Sequence, residues 1–165
     1  MQDPIQDGAP RATTAPPARN ATNLRGEVSP LSGTISDFKV TVSGLQTIVE
    51  LPADILFAFD SADLTAAARS PLKRTADLIA HSARGDIRIV GHTDSKGDVD
   101  YNIRLSDRRA RAVGDWLAAN GVAAVRLKPE GRGEADPIAP NEGASGVDNP
   151  KGRALNRRVM IYIPR

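Results

Sequence analysis

Regular alternation of apolar and polar residues begins near Ile35. Phe38-Lys39-Val40-Thr41-Val42 has the period of a half-buried strand, and Thr47-Ile48-Val49-Glu50-Leu51 repeats it after a turn at Gly44. Ile55-Leu56-Phe57-Ala58-Phe59-Asp60 reads as a short apolar strand ending on a carboxylate, with Phe59 read as core in preference to a ligand contact. Pro52 between the runs predicts an irregular edge. From Leu64 to about His81 the period lengthens. Ala68, Leu72, Ala76 and Ile79 recur at helical spacing, Thr65 offers an N-cap oxygen, and Pro71 either kinks the helix or follows a Ser70 cap. Asp86 to Val90 predicts a strand running into Gly91-His92-Thr93-Asp94. After a turn at Ser95-Lys96-Gly97-Asp98, a second helix extends from about Asn102 to Asn120, stopped by Gly121. A strand near Arg126 to Gly131, a Gly- and Pro-rich loop and a last strand from Arg158 to Ile163 complete the chain. This order predicts an α/β (α+β) sandwich, a mixed sheet with helices on one face. Residues 1–33 lack periodicity and read as a flexible Pro/Ala-rich arm, leaving 34–165 as the folded domain.

One charge interrupts the second helix. Leu105, Ala112, Val113 and Trp116 form an apolar stripe, and Arg109 lies within it. Arg104, Arg108, Arg111 and Asp115 fall on the opposite side, where solvation accounts for them. A guanidinium on a core-facing stripe is costly unless paired. Either its stem packs while its head snorkels to water, or it faces a carboxylate of the protein or of a ligand. Asp94, at the end of the preceding strand, stands where ligands of α/β sheets gather. Asp94 and Arg109 either pair with each other or stay apart across a cleft. The second arrangement suits a zwitterion, whose ammonium meets the carboxylate and whose carboxylate meets the guanidinium fork.

Composition narrows the chemistry. With 22 basic and 20 acidic side chains the net charge is only +2, and aromatics are 4%, too few and too balanced for a nucleic-acid surface. Cysteine is absent, which excludes disulfides, thiol catalysis and a cysteine-borne lipid anchor on this chain. No run approaches the ~20 apolar residues of a membrane span. Met1-Gln2-Asp3-Pro4 has neither the basic nor the apolar part of a signal peptide, so the chain reads as cytosolic or as the mature form of an exported protein. The two histidines lack metal-binding spacing: His81 reads as a surface residue and His92 as ordering the Asp94 turn. His92, Asp94, Asp60 and Glu134 could serve acid–base chemistry, but no pair is evident that would flank a scissile bond. Neither a metal, a cofactor nor a catalytic role is expected.

Several segments together carry a resemblance. They are Phe57-Ala58-Phe59-Asp60-Ser61-Ala62-Asp63-Leu64, Gly91-His92-Thr93-Asp94, Tyr101 through Ala110, Gly131-Arg132-Gly133-Glu134 with Pro137, and Asn156-Arg157-Arg158-Val159. In order and spacing the chain from about Ile48 to Ile163 resembles the OmpA-like C-terminal domain, also found in the peptidoglycan-associated lipoprotein and in flagellar stator proteins. The resemblance implies a β/α/β/α/β-β fold and non-covalent, non-catalytic binding of the peptide stem of peptidoglycan in the periplasm or at the outer membrane. It implies that Asp94 takes the ammonium of diaminopimelate and Arg109 its carboxylate, with Thr93, Asn102 and Leu105 around the pocket. Arg158 is either a neighbour of the ligand or an organiser of its loop, and Asp60 caps or orients the site. The loop Asn141–Pro150 either folds over the pocket or stays mobile. An envelope module that binds other envelope proteins is the competing expectation, and a wall-cutting enzyme is the weaker one.

Overall fold

The computed structural model of the chain describes residues 38–165. The arm expected over residues 1–33 lies outside them. Strands β1 (Lys39–Ser43) and β2 (Gln46–Pro52) form a hairpin through Gly44, whose positive φ of 59° suits glycine. Strand β3 (Ile87–His92) pairs in parallel with β4 (Leu127–Gly131), and β5 (Arg158–Pro164) inserts antiparallel between β2 and β3. The sheet order is therefore β1-β2-β5-β3-β4. Helix α2 (Arg69–Ala80) and the long α3 (Val99–Ala119) complete the sandwich, α3 crossing over between the two parallel strands.

Strand periodicity sorts the sheet into two faces. Val49, Leu51, Ile87, Ile89, Val159, Ile161 and Ile163 are buried in one core with Leu72 and Ile79 of α2 and Val113 and Leu117 of α3. Their strand neighbours Glu50, Arg88, Met160 and Tyr162 belong to the other face, where ion pairs such as Arg88–Glu130 at 3.1 Å cross between strands. The α3 stripe is wider than its apolar residues suggest, because Asn102, Ser106 and Arg109 are buried within it. Among the described residues no helix is long and apolar enough to cross a membrane.

Several local expectations need correction. Ile55–Asp60 is not a strand. Ala53–Leu56 winds into the single-turn helix α1, closed by Phe57 N–H donating to the Ala53 carbonyl at 2.9 Å. Five apolar residues in a row satisfy either period, and Pro52 ends β2 instead of interrupting a run. Consequently Phe59 is not core but fully exposed, in a turn where Asp60 takes a φ of +54°. Thr65 precedes the 3-10 turn Ala66–Ala68 that leads into α2, but its hydroxyl donates to the Ile55 carbonyl at 2.6 Å and caps nothing. Pro71 is the third residue of α2, inside the first turn where no N–H is required, so it neither kinks the helix nor needs a Ser70 cap. Finally, the Gly-rich loop before β5 ends in a further short helix, α4 (Pro150–Asn156), capped by the Asn149 side chain, which accepts from Gly152 N–H at 3.2 Å.

Candidate functional site

The site is built where α3 lies on the ends of β3 and β4. Helix α3 starts at Asp98, whose carboxylate accepts from the N–H groups of Asp100 (2.9 Å) and Tyr101 (3.1 Å). Gly91 and Gly131 sit under Ser106 and Asp107 so closely that a Cβ at either would overlap the helix backbone. Beyond the strands, Ser106 Oγ accepts from Gly133 N–H and the Gly133 carbonyl accepts from Thr93 N–H, both at 2.8 Å. The Gly131-Arg132-Gly133 segment thus holds the turn after β3 against α3. Asn102, buried at the helix start, reinforces it by donating to the Lys96 carbonyl at 2.9 Å, with the Asp94 carbonyl at 3.4 Å. The Thr93 hydroxyl donates to the Asp94 carbonyl at 2.8 Å, and Leu105 packs below, 5% exposed.

Arg109 is 6% exposed. Its Nε donates to the Ser61 carbonyl at 2.8 Å and its guanidinium carbon stands 5.2 Å from the centre of the Phe57 ring. Burial lowers its pKa, opposed by Asp54, Asp60 and Tyr101, and it stays a cation. Among the described residues its two terminal nitrogens have no hydrogen-bond partner and Arg109 is in no ion pair. Nearby, the Tyr101 hydroxyl donates to Asp60 in the exposed turn.

Asp94 does not pair with Arg109. One of its oxygens accepts from Lys96 N–H at 3.0 Å; the other accepts from Arg157 Nη1 at 2.7 Å and from Arg153 Nη1 at 3.4 Å. Both arginines come from the α4 region, and each is gripped from the side by a second carboxylate. Asp54 of α1 takes Nε and Nη2 of Arg157, both at 2.9 Å; Asp148 takes Nε and Nη2 of Arg153 at 2.7 and 2.8 Å. These bonds hold Arg157 and Arg153 above their ordinary pKa, with Asp94 adding to the effect. Asp148 lies in the 141–150 loop, which closes on itself through a Glu142–Asp148 bridge, so this loop is tied to Asp94 by way of Arg153.

The structure thus brings the sequence's candidates Asp94, Arg109, Thr93, Asn102 and Leu105 together along the first half of α3, with Asp60 at the edge, and sets beside them Asp54, Asp148, Arg153 and Arg157, to which the sequence assigns no role. Nor does the sequence assign one to Asn156, whose fully buried amide accepts from the N–H groups of Ile138 and Ala139 and donates to the Ala139 carbonyl. Arg158 alternates with Val159 and so belongs to the sheet face opposite the helices, where its guanidinium donates to the carbonyls of Asp136 (3.0 Å) and Asn156 (3.3 Å). These bonds tie β5 to the loop and helix that precede it. His92, opposite Arg158 in the strand register, does not order the Asp94 turn. Its Nδ1 donates to the Ala135 carbonyl at 3.1 Å.

Burial, and then the Arg158 charge, lower the His92 pKa. The folded state thus binds this proton less readily than the unfolded chain. The stability that neutral His92 contributes is complete above its ordinary value of about 6.5 and is lost as pH falls through the lower folded value. Thermal melts should therefore drop between pH 7.5 and 5, and His92→Gln should flatten that drop; a drop of equal size in both proteins refutes the assignment.

The comparisons with known proteins identify the family and the fold. The OmpA family model matches residues 56–150. The chain is 38% identical to Probable lipoprotein YiaD of Escherichia coli over 75% of its length and 54% of that protein's. It is 37% identical to Peptidoglycan-binding protein ArfA of Mycobacterium tuberculosis over 81% of its length and 38% of that protein's. Among solved structures, the cell wall anchor of the T6SS from Pseudomonas aeruginosa superposes with a TM-score of 0.67 at 32% identity, covering 78% of this chain and 87% of that one. The chain spans about half or less of the length of the curated relatives it matches.

Proposed function

The chain belongs to the OmpA family, and from that premise we propose that it holds peptidoglycan non-covalently through the diaminopimelate of the peptide stem, tethering whatever carries it to the wall in the bacterial envelope. The observation that carries this reading is the pair Arg109 and Asp94. They occupy neighbouring elements, are both largely buried, and do not neutralise each other. The two terminal nitrogens of Arg109 are left to meet a carboxylate with two parallel bonds, the geometry a guanidinium favours. Asp94 accepts the ammonium of the same amino acid. Thr93, Asn102 and Leu105 fix the turn and the helix on which this pair stands, and Asp60 with Tyr101 borders it.

The names of relatives support the coarser part of the reading: ArfA is called peptidoglycan-binding and the Pseudomonas aeruginosa structure is a cell wall anchor. A holding role also fits the carboxylates, since Asp54, Asp94 and Asp148 are all engaged by arginines and none stands ready as a general base.

Co-sedimentation with purified sacculi tests the proposal. The protein should pellet with diaminopimelate-containing sacculi, free diaminopimelate should return it to the supernatant, and rising salt should weaken the association. Protein that stays in the supernatant without competitor refutes wall binding. Pelleting that diaminopimelate leaves untouched refutes the proposed ligand.

A further inference from the structure

Asp94 presents a difficulty for any cationic ligand. Two guanidinium groups already touch one of its oxygens, and a carboxylate shared between two cations attracts a third only weakly. The arrangement around those cations removes the difficulty. Arg157 spends Nε and Nη2 on Asp54, and Arg153 spends the same two nitrogens on Asp148. Each arginine has its charge matched by its own bidentate partner and turns one Nη1 toward Asp94. Three carboxylates against two guanidiniums leave one net negative charge in the cluster. Lys96 lies 3.9 Å from Asp148, but its side chain is 63% exposed, so water screens its contribution.

We propose that Asp54 and Asp148 are positioning, specificity-determining residues of this site: by holding Arg157 and Arg153 side-on they fix the orientation of Asp94 and leave its negative charge for a ligand ammonium. This rests on the reading of Asp94 and Arg109 given above. The two clamps also come from segments far apart in the chain, α1 and the 141–150 loop, so that folding of both is needed before Asp94 can discriminate. Without Asp54, Arg157 has only Asp94 as a partner and neutralises it. The same loss removes an anion that acts on Arg109, so carboxylate binding there holds or improves.

The test uses the full chain and two probes, diaminopimelate and pimelate, the same seven-carbon diacid without its ammonium groups. Calorimetry or NMR titration gives the preference for diaminopimelate over pimelate, which reports what the ammonium contributes. Asp54→Asn should reduce that preference about fivefold, the effect of one half-exposed charge pair, without weakening pimelate. Asp54→Asn combined with Arg157→Gln removes both members of the pair and should restore the preference. A merely structural role for Asp54 predicts that both probes weaken together and that the double variant is worse; either result overturns the proposal. A wild-type protein that does not prefer diaminopimelate refutes Asp94 as an ammonium acceptor, and the clamp role falls with it. A wild type with the preference and an Asp54→Asn variant that retains it in full refutes the clamp role alone.

Discussion

Arg109→Ala should lower the affinity for sacculi by about 100-fold, the equivalent of two charge-assisted hydrogen bonds lost from a partly desolvated site. In a pelleting assay that is complete loss. The side chain is suited to produce so large an effect because little of it is committed to the protein: Nε alone is bonded, to the Ser61 carbonyl. The fold should survive. Removing a buried cation relieves a desolvation cost that offsets the lost Ser61 bond and the packing on Phe57, so the melting temperature should shift by only a few degrees. Arg109→Lys keeps the charge but has no planar fork and should fall between wild type and alanine. Asp94→Asn keeps the shape of its acceptor while removing the charge, and should lose diaminopimelate binding to a similar extent. Near-wild-type pelleting by either Arg109→Ala or Asp94→Asn would mean that the ligand sits elsewhere.

A large loss of stability is expected from Gly91→Ala. An added Cβ would overlap the Ser106 carbonyl, which is backbone and cannot swing aside as a side chain could. Relief requires α3 to move away from β3, against the contacts that Gly131 makes with Asp107 and Gly133 makes through Ser106. Overpacking of this kind costs about 3 kcal/mol. For a domain of this size that lowers the melting temperature by about 10 °C. Ser106 is less than one turn before Arg109, so the displaced helix also carries the guanidinium out of line, and wall binding should weaken at temperatures where the variant is still folded. A Gly91→Ala protein that melts within about 2 °C of wild type would show that the helix accommodates the methyl group.

The sequence speaks clearly where a period runs long enough. Strands β3, β4 and β5 and helix α3 lie within a few residues of their expected limits, because their apolar faces repeat over whole turns or several alternations. Arg109 stands out for the same reason: an interruption is visible only against a regular stripe. Helices α1 and α4, with four and seven residues, are too short to establish a period, and the apolar run Ile55–Phe59 reads equally well as a strand. The charges around Asp94 were hidden differently. Asp54 meets Arg157 across 103 positions and Asp94 meets it across 63, so no local spacing announces the network. Arg157 and Arg158 are adjacent, and only the strand alternation beginning at Arg158 decides which of them reaches Asp94 and which turns to the far face.

The sheet order has a kinetic meaning. The final strand in the chain occupies the centre of the sheet, so the N-terminal hairpin and the β3–β4 pair share no edge until residues 158–164 arrive between them. Contacts of such long sequence separation form late and slowly, and the half-sheets that wait for them expose apolar surface. Parting β5 from its two neighbours would therefore divide the sheet into the β1–β2 hairpin and the β3–β4 pair, with no strand hydrogen bonds between them.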